Sequence, residues 1–129
     1  MIIQQKFSQF CQEYDLAHAP IYPVNGGGEV VLNEAKTLAL VWSDGRYPAL
    51  EKGSSFNTLC TEKITVLWGG IVIQVGDLLV SLTEGESIVI KPKTAYSLVG
   101  KAVCRVDIDP PWASSQNSFV AESTYSTQI

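Results

Sequence analysis

The amino-acid sequence predicts an all-β domain, a barrel or a sandwich, preceded by one short amphipathic helix. Short runs rich in Val, Leu and Ile follow one another from residue 29 to residue 108, at a spacing of roughly 8–12 residues. Pairs of turn-forming residues separate most of these runs. A helical period is found only near the start of the chain. At 129 residues the chain has room for one domain and no second core.

The helix is predicted over residues 3–14. Apolar side chains recur there at spacings of three and four residues, and Gln and Glu fill the opposite face. The apolar stripe consists of Ile3, Phe7, Phe10, Cys11 and Tyr14. Pro20 and Pro23 are expected to end the helix, and the Asn-Gly-Gly-Gly run at 25–28 to form a flexible loop. Residues 1–28 are therefore predicted to be helix and loop.

The strands follow from residue 29 onward. They are predicted over 29–33, 37–42, 55–59, 62–68, 71–75, 78–82, 87–90, 95–99 and 102–108. Turns are predicted at the glycine-containing pairs 44–45, 69–70, 76–77, 84–85 and 100–101, and at the Lys-Pro pair 91–92. Pro110 and Pro111 should stop the last strand, because proline cannot donate to a strand ladder. This gives a barrel over 29–112 and a polar tail over 113–129, which we expect to pack on the barrel or on a partner subunit.

Composition excludes some partners and favours others. The formal net charge is -4, and the nine Lys and Arg form no cluster, so neither nucleic acid nor an anionic membrane surface is an expected partner. No apolar run approaches the roughly 20 residues of a membrane span, and no signal-peptide pattern opens the chain, so we expect a cytoplasmic protein. Hydrophobic residues make up 46% of this short chain and charged ones 17%, which favours burial of some apolar surface in a homodimer.

One stretch carries two spaced motifs. In the first, Glu62 is followed by Gly69 after six residues, and Ser55 and Asn57 precede Glu62. The second begins at Gly85 and runs through Pro92, Thr94 and Ser97.

Together, these motifs resemble the paired motifs of the cupin superfamily. The first cupin motif is His-x-His, then Glu, then Gly, and the second is Gly, then Pro-x-Gly-x-x-His. Ser55 and Asn57 stand at the first two histidine positions, Thr94 at the second-motif glycine and Ser97 at the last histidine. The resemblance implies a cupin-type (jelly-roll) β-barrel.

The resemblance also implies that the metal chemistry has changed. In metal-bearing cupins, the histidines and the glutamate hold a transition metal, because imidazole and carboxylate suit such ions. Here only Glu62 remains, beside neutral hydroxyl and amide groups. We therefore expect no metal and no other cofactor.

The expected ligand pocket follows from the alternation of side chains along a strand. If Glu62 faces the barrel interior, so do Ile64, Val66 and Trp68. The predicted lining, with Glu62 as the candidate catalytic residue, is Ser55, Asn57, Glu62, Trp68 and Ser97. A buried carboxylate requires partners, so Glu62 is expected to bond to Ser55, Asn57 or Ser97.

Three functions fit this pattern. The first is a metal-free cupin that binds a small organic molecule as a sensor or carrier. The second is a structural or protein-interaction module whose barrel is filled by its own side chains. The third is a metal-independent isomerase or epimerase, in which Glu62 and either Tyr96 or Tyr47 replace the missing histidine base of similar enzymes.

Overall fold

The structure, a computed structural model, describes the backbone of residues 2–120 and the side chains of residues 2–113, 115 and 116. One helix and nine strands make up this part of the chain. Their bounds are α1 Ile2–Glu13, β1 Ile21–Val24, β2 Gly28–Leu32, β3 Leu38–Tyr47, β4 Ser54–Asn57, β5 Thr61–Val75, β6 Leu78–Thr83, β7 Ser87–Ile90, β8 Ala95–Asp109 and β9 Asn117–Val120. Short 3₁₀ turns lie at Leu50–Lys52 and Ser114–Gln116. The described helix is too short to cross a membrane.

The strands form one antiparallel sheet built around β5 and β8, which have 15 residues each. The sheet order is β1-β2-β3-β8-β4-β9, and β5 pairs with β6, β7 and β8. Because β8 pairs with β3 on one side and with β5 on the other, it is a central strand of the sheet.

The helix packs on one face of this sheet. Its buried residues Ile3, Phe7 and Cys11 contact a cluster that includes Leu40 and Val103. The predicted helix and its apolar stripe are confirmed.

The opposite face of the sheet encloses the barrel interior. Its core is a cluster of buried side chains, namely Ile64, Val66, Ile71, Ile73, Leu82, Ile90, Tyr96, Leu98, Ala102 and Cys104. In β8 the even-numbered residues from Tyr96 to Cys104 face this interior, whereas Val103 faces the helix.

Three predicted turns are wrong. The glycine pairs at 69–70 and 100–101 lie inside β5 and β8, and the Asp-Gly pair at 44–45 lies inside β3. Gly69 and Gly100 instead allow close approach of neighbouring strands, because a Cβ at Gly69 would collide with the carbonyl oxygen of Lys101, and one at Gly100 with that of Gly70. The predicted turn at 76–77 is confirmed, since β5 and β6 pair directly on either side of it.

Two strands lie in segments where the sequence predicts none. β1, which contains Pro23, falls within residues 1–28, and it is an edge strand, where a missing backbone donor is tolerated. β9 falls within the polar tail and pairs with β4, from Ser54 opposite Val120 to Asn57 opposite Asn117. Residues 121–129 of the predicted tail lie outside the described residues.

Candidate functional site

An irregularity in β5 decides which side chains reach the barrel interior. The pairing of β5 with β8 shifts between Val66 and Trp68, as in a β-bulge, where one extra residue breaks the alternation of faces. Ile64 and Val66 lie in the interior, whereas Leu67 and Trp68 both pack against the cluster beneath the helix. The prediction that Trp68 shares a face with Glu62 is therefore wrong.

Glu62 lies on the interior side of β5, two residues before Ile64, and is paired with Ile90 and Ile108. Its side chain is partly buried. Burial raises the pKa of the Glu62 carboxyl, and a hydrogen bond donated by the Tyr96 hydroxyl offsets part of that rise. This places the Tyr96 hydroxyl beside Glu62, and the predicted bond from Glu62 to Ser55, Asn57 or Ser97 stays a prediction.

Tyr96 joins Glu62 to two further hydroxyl groups. Its side chain is hydrogen-bonded to Ser55 and to Tyr47, and the Tyr47 hydroxyl donates to Ser55 Oγ at 3.3 Å. The two tyrosine rings lie with centroids 6.1 Å apart. We call Tyr47, Ser55, Glu62 and Tyr96 the polar cluster.

The polar cluster combines a carboxyl group with hydroxyl donors. Burial, reinforced by Glu62 and Tyr47, raises the pKa of Tyr96 well above its ordinary value. The phenol therefore stays protonated at neutral pH and can donate a hydrogen bond. Ser55 and Tyr96 are buried, whereas Glu62 and Tyr47 are partly exposed, so the cluster reaches the surface at these two residues.

Asn57 stabilises the turn that follows β4. Its Oδ1 accepts hydrogen bonds from the backbone N–H groups of Leu59 at 3.0 Å and Cys60 at 2.9 Å. Cys60 in turn donates through Sγ to Gln116 Oε1 at 2.6 Å. Asn57 therefore fixes the turn between β4 and β5 and holds the segment that leads to β9.

Ser97 does not join the polar cluster. It is buried, but its neighbours Tyr96 and Leu98 both face the interior, so the alternation of β8 turns Ser97 to the other face of the sheet. The motif spacing aligned Ser97 with the last histidine of the cupin pattern, and the side chain that reaches the interior is Tyr96. The sequence signal for Tyr96 is its even spacing from the apolar Leu98, Ala102 and Cys104.

The residues of the polar cluster do not suit a transition metal. They supply one carboxyl group and three hydroxyls, without an imidazole or a thiolate. Within residues 2–120, no three His, Cys, Asp or Glu side chains come together in a group that could hold a metal ion. We therefore derive no chemistry through a metal.

Two surface depressions of the described chain lie away from this cluster. One is an open groove on the outer face of the sheet, beside Lys63 and the ion pair of Arg105 with Asp107. The other lies between the helix and β2, beside Phe7 and Val31. No residue of the polar cluster lines either depression.

Comparison with known proteins identifies the fold. No protein-family profile matches the sequence, and no curated protein does. Among solved structures, a variant of Streptomyces PAC13 with uridine superposes with a TM-score of 0.69 at 14% identity, over 82% of this chain and 90% of that one. The Drosophila melanogaster CENP-C cupin domain gives a TM-score of 0.60 at 16% identity, over 73% and 72% of the two chains. The chain has a cupin fold.

The other cupins differ in what they do. Pac13 is described as a nucleoside dehydratase, and CENP-C has been solved bound to CAL1. KdgF from Halomonas sp. also superposes, with a TM-score of 0.60 at 14% identity over 74% of this chain and 90% of that one. At such identities the likeness establishes the fold and leaves function to the site.

Proposed function

We propose that this cupin binds a small organic molecule, without a metal, where the polar cluster reaches the surface. The observation that carries the proposal is the partly buried carboxyl group of Glu62 on the interior side of β5, beside the Tyr96 hydroxyl and without the ligand set of a metal. Glu62 and Tyr47, which are partly exposed, form the accessible part of the proposed binding surface, and the buried Ser55 accepts a hydrogen bond from the Tyr47 hydroxyl.

A barrel filled only by its own side chains would not need a carboxyl group beside its interior. Burial of a carboxyl group costs free energy unless its partners compensate. Apolar side chains would fill the same space at a lower cost, as they do in the cluster around Val66 and Ile73. Partly buried polar groups with perturbed pKa values are typical of functional sites.

The first probe is uridine, because a structurally similar cupin has been solved with it. We expect uridine, or a compound from a metabolite library, to raise the melting temperature of the purified protein. Glu62→Gln should abolish that rise. Glu34→Gln is the matched control, since Glu34 is an exposed carboxylate in the turn between β2 and β3. If no compound in the library raises the melting temperature, and native mass spectrometry finds no retained molecule, the proposal fails.

A protein-interaction module is the second candidate, and the packed interior favours it. Apolar side chains occupy the barrel core, and large apolar side chains are exposed outside it, among them Leu78, Leu79, Val72 and Val99. The structure of CENP-C bound to CAL1 supports this use of the fold. Under this alternative, Glu62→Gln changes stability only, and substitution of the exposed apolar residues changes the state of association.

A further inference from the structure

Strand β6 is an edge strand, and one side of its backbone faces away from the sheet. Among the described strands it pairs only with β5. The two-residue turn at 76–77 requires that the pair next to it is hydrogen-bonded. Because hydrogen-bonded and non-hydrogen-bonded pairs alternate along an antiparallel ladder, the N–H and C=O groups of Leu79, Ser81 and Thr83 point outward.

The contacts of Glu86 agree with this direction and occupy the groups of Thr83. Glu86 Oε1 accepts a hydrogen bond from the Thr83 N–H at 2.7 Å, and the Glu86 N–H donates to the Thr83 carbonyl oxygen at 2.9 Å. Within the described chain, no second strand and no turn contact reaches the outward groups of Leu79 or Ser81. Two N–H and two C=O groups are therefore unpaired on this edge.

β6 lacks the features that keep edge strands from associating. Its residues Leu78–Thr83 include no charged side chain and no proline. In contrast, the edge strand β1 contains Pro23, and the edge strands β7 and β9 have four residues each. Leu79 is 68% exposed, and the exposed Val72 and Val99 continue this apolar surface onto β5 and β8. Such an edge is suited to the addition of another strand.

The order of the unpaired groups selects a second copy of β6 as that strand. When two antiparallel copies meet with Val80 opposite the partner's Val80, Leu79 of each copy lies opposite Ser81 of the other. Each of these two pairs exchanges two hydrogen bonds, so every unpaired group of both copies is satisfied. A shift of two residues in one direction would place Ser81 opposite the turn, and in the other direction would place Leu79 opposite Thr83, whose groups are already bonded.

We propose that this protein forms a homodimer by antiparallel pairing of β6 with β6 of a second copy, centred on Val80, so that the two sheets become one. Leu79 and the partner's Leu79 are then diagonal neighbours on the outer face. Hydrogen bonds contribute little net free energy on their own, so burial of these leucines supplies most of the stabilisation. Asp77 and Glu84 flank the strand and bring acidic groups near each other, so the measurements use a buffer whose salt screens them.

The first test is sedimentation velocity of the full chain over a concentration series. Ser81→Pro removes an outward N–H, a change that an edge strand tolerates. Leu79→Lys places two like charges diagonally across the pair. Each variant should raise the dissociation constant of the dimer about tenfold or more. Leu50→Lys is the matched control, since Leu50 is 70% exposed in the 3₁₀ turn before β4, and it should leave the dissociation constant unchanged.

The register is tested by disulfide cross-linking at the centre of the pair. In a non-hydrogen-bonded pair the Cα atoms of Val80 and the partner's Val80 lie about 4.5 Å apart, which is within reach of a disulfide. Val80→Cys should therefore give a covalent dimer under mild oxidation. Thr83→Cys should not, because the exposed Thr83 would lie about 20 Å from the partner's Thr83 in this register. The three native cysteines are buried.

A chain that stays monomeric at micromolar concentration would overturn the inference. So would a dimer that Ser81→Pro and Leu79→Lys both leave intact, because another surface would then join the copies. A dimer that both variants weaken, but that Val80→Cys does not cross-link, would overturn the pairing centred on Val80. Cross-linking through Thr83→Cys in place of Val80→Cys would overturn it as well.

Discussion

The clearest test of the polar cluster is Tyr96→Phe, which removes one hydroxyl and keeps the ring. The ring packs in the apolar core and against Tyr47, with centroids 6.1 Å apart, so the packing is preserved. What is lost is the hydrogen bonding of the Tyr96 hydroxyl with Glu62, Ser55 and Tyr47. Ser55 keeps its bond from the Tyr47 hydroxyl at 3.3 Å, so most of the cost falls on Glu62.

The expected cost follows from the charge on Glu62. A hydrogen bond to a charged group contributes about 1.5–3 kcal/mol, so we expect Tyr96→Phe to lower the free energy of unfolding by about 2 kcal/mol where Glu62 is ionised. Without Tyr96 the offset to burial is gone, and the pKa of Glu62 rises further above its ordinary value of 4.5. A raised folded pKa means stability that is present below the unfolded pKa and is lost as the pH rises through the folded pKa. The loss in the variant should therefore be larger at high pH than at low pH.

The assay is urea unfolding at about pH 4, below the ordinary pKa of 4.5, and at about pH 8. Four proteins form a double-mutant cycle: the unaltered chain, Tyr96→Phe, Glu62→Gln and the double variant. Tyr22→Phe is the control, because its phenol is 54% exposed in β1. An equal loss at both pH values and in both backgrounds would refute the assignment of Tyr96 as the partner of Glu62.

Three further predictions concern other features of the molecule. Purified protein should contain no stoichiometric transition metal, and about one metal per chain by elemental analysis, lost on Glu62→Gln, would contradict this. Gly100→Ala should cost about 3 kcal/mol or more in urea unfolding, because its Cβ would collide with the backbone of the neighbouring strand. Gly27→Ala, which has a positive φ but open space, should cost only about 1 kcal/mol. Light scattering should give a homodimer of twice 14.0 kDa, whereas a monomer at micromolar concentration would exclude it.

Local periodicity predicted the helix and several strand ends. The stripe that begins at Ile3 and Phe7 is a helical signal carried by neighbouring residues, and β7 has the predicted bounds Ser87–Ile90. Glycine is ambiguous, because it marks both turns and places where strands approach closely. Gly69 and Gly100 were therefore predicted as turns, and only the pairing of β5 with β8 distinguishes the two uses.

The site was predicted in part, for a related reason. Strand alternation places Glu62 and Ile64 on one face, but the bulge after Val66 has no sequence signal of its own and moves Trp68 to the other face. A single extra residue turns every later side chain of the strand to the opposite face of the sheet. A prediction that extends the alternation across a bulge is therefore wrong for the residues that follow it.

The finding that Tyr96, and not Ser97, faces the barrel interior has a chemical consequence. With Ser97 in the interior, the hydroxyl available to Glu62 would be that of a short serine side chain. The site would then be a glutamate in the position of a metal ligand, without the histidines of the cupin motif. With Tyr96 there, the ring packs in the apolar core and the hydroxyl lies beside the carboxyl group. The carboxyl group therefore has a neutral hydroxyl neighbour that can donate to it. The Tyr96→Phe cycle measures how much this neutral donor stabilises a carboxyl group beside the apolar interior.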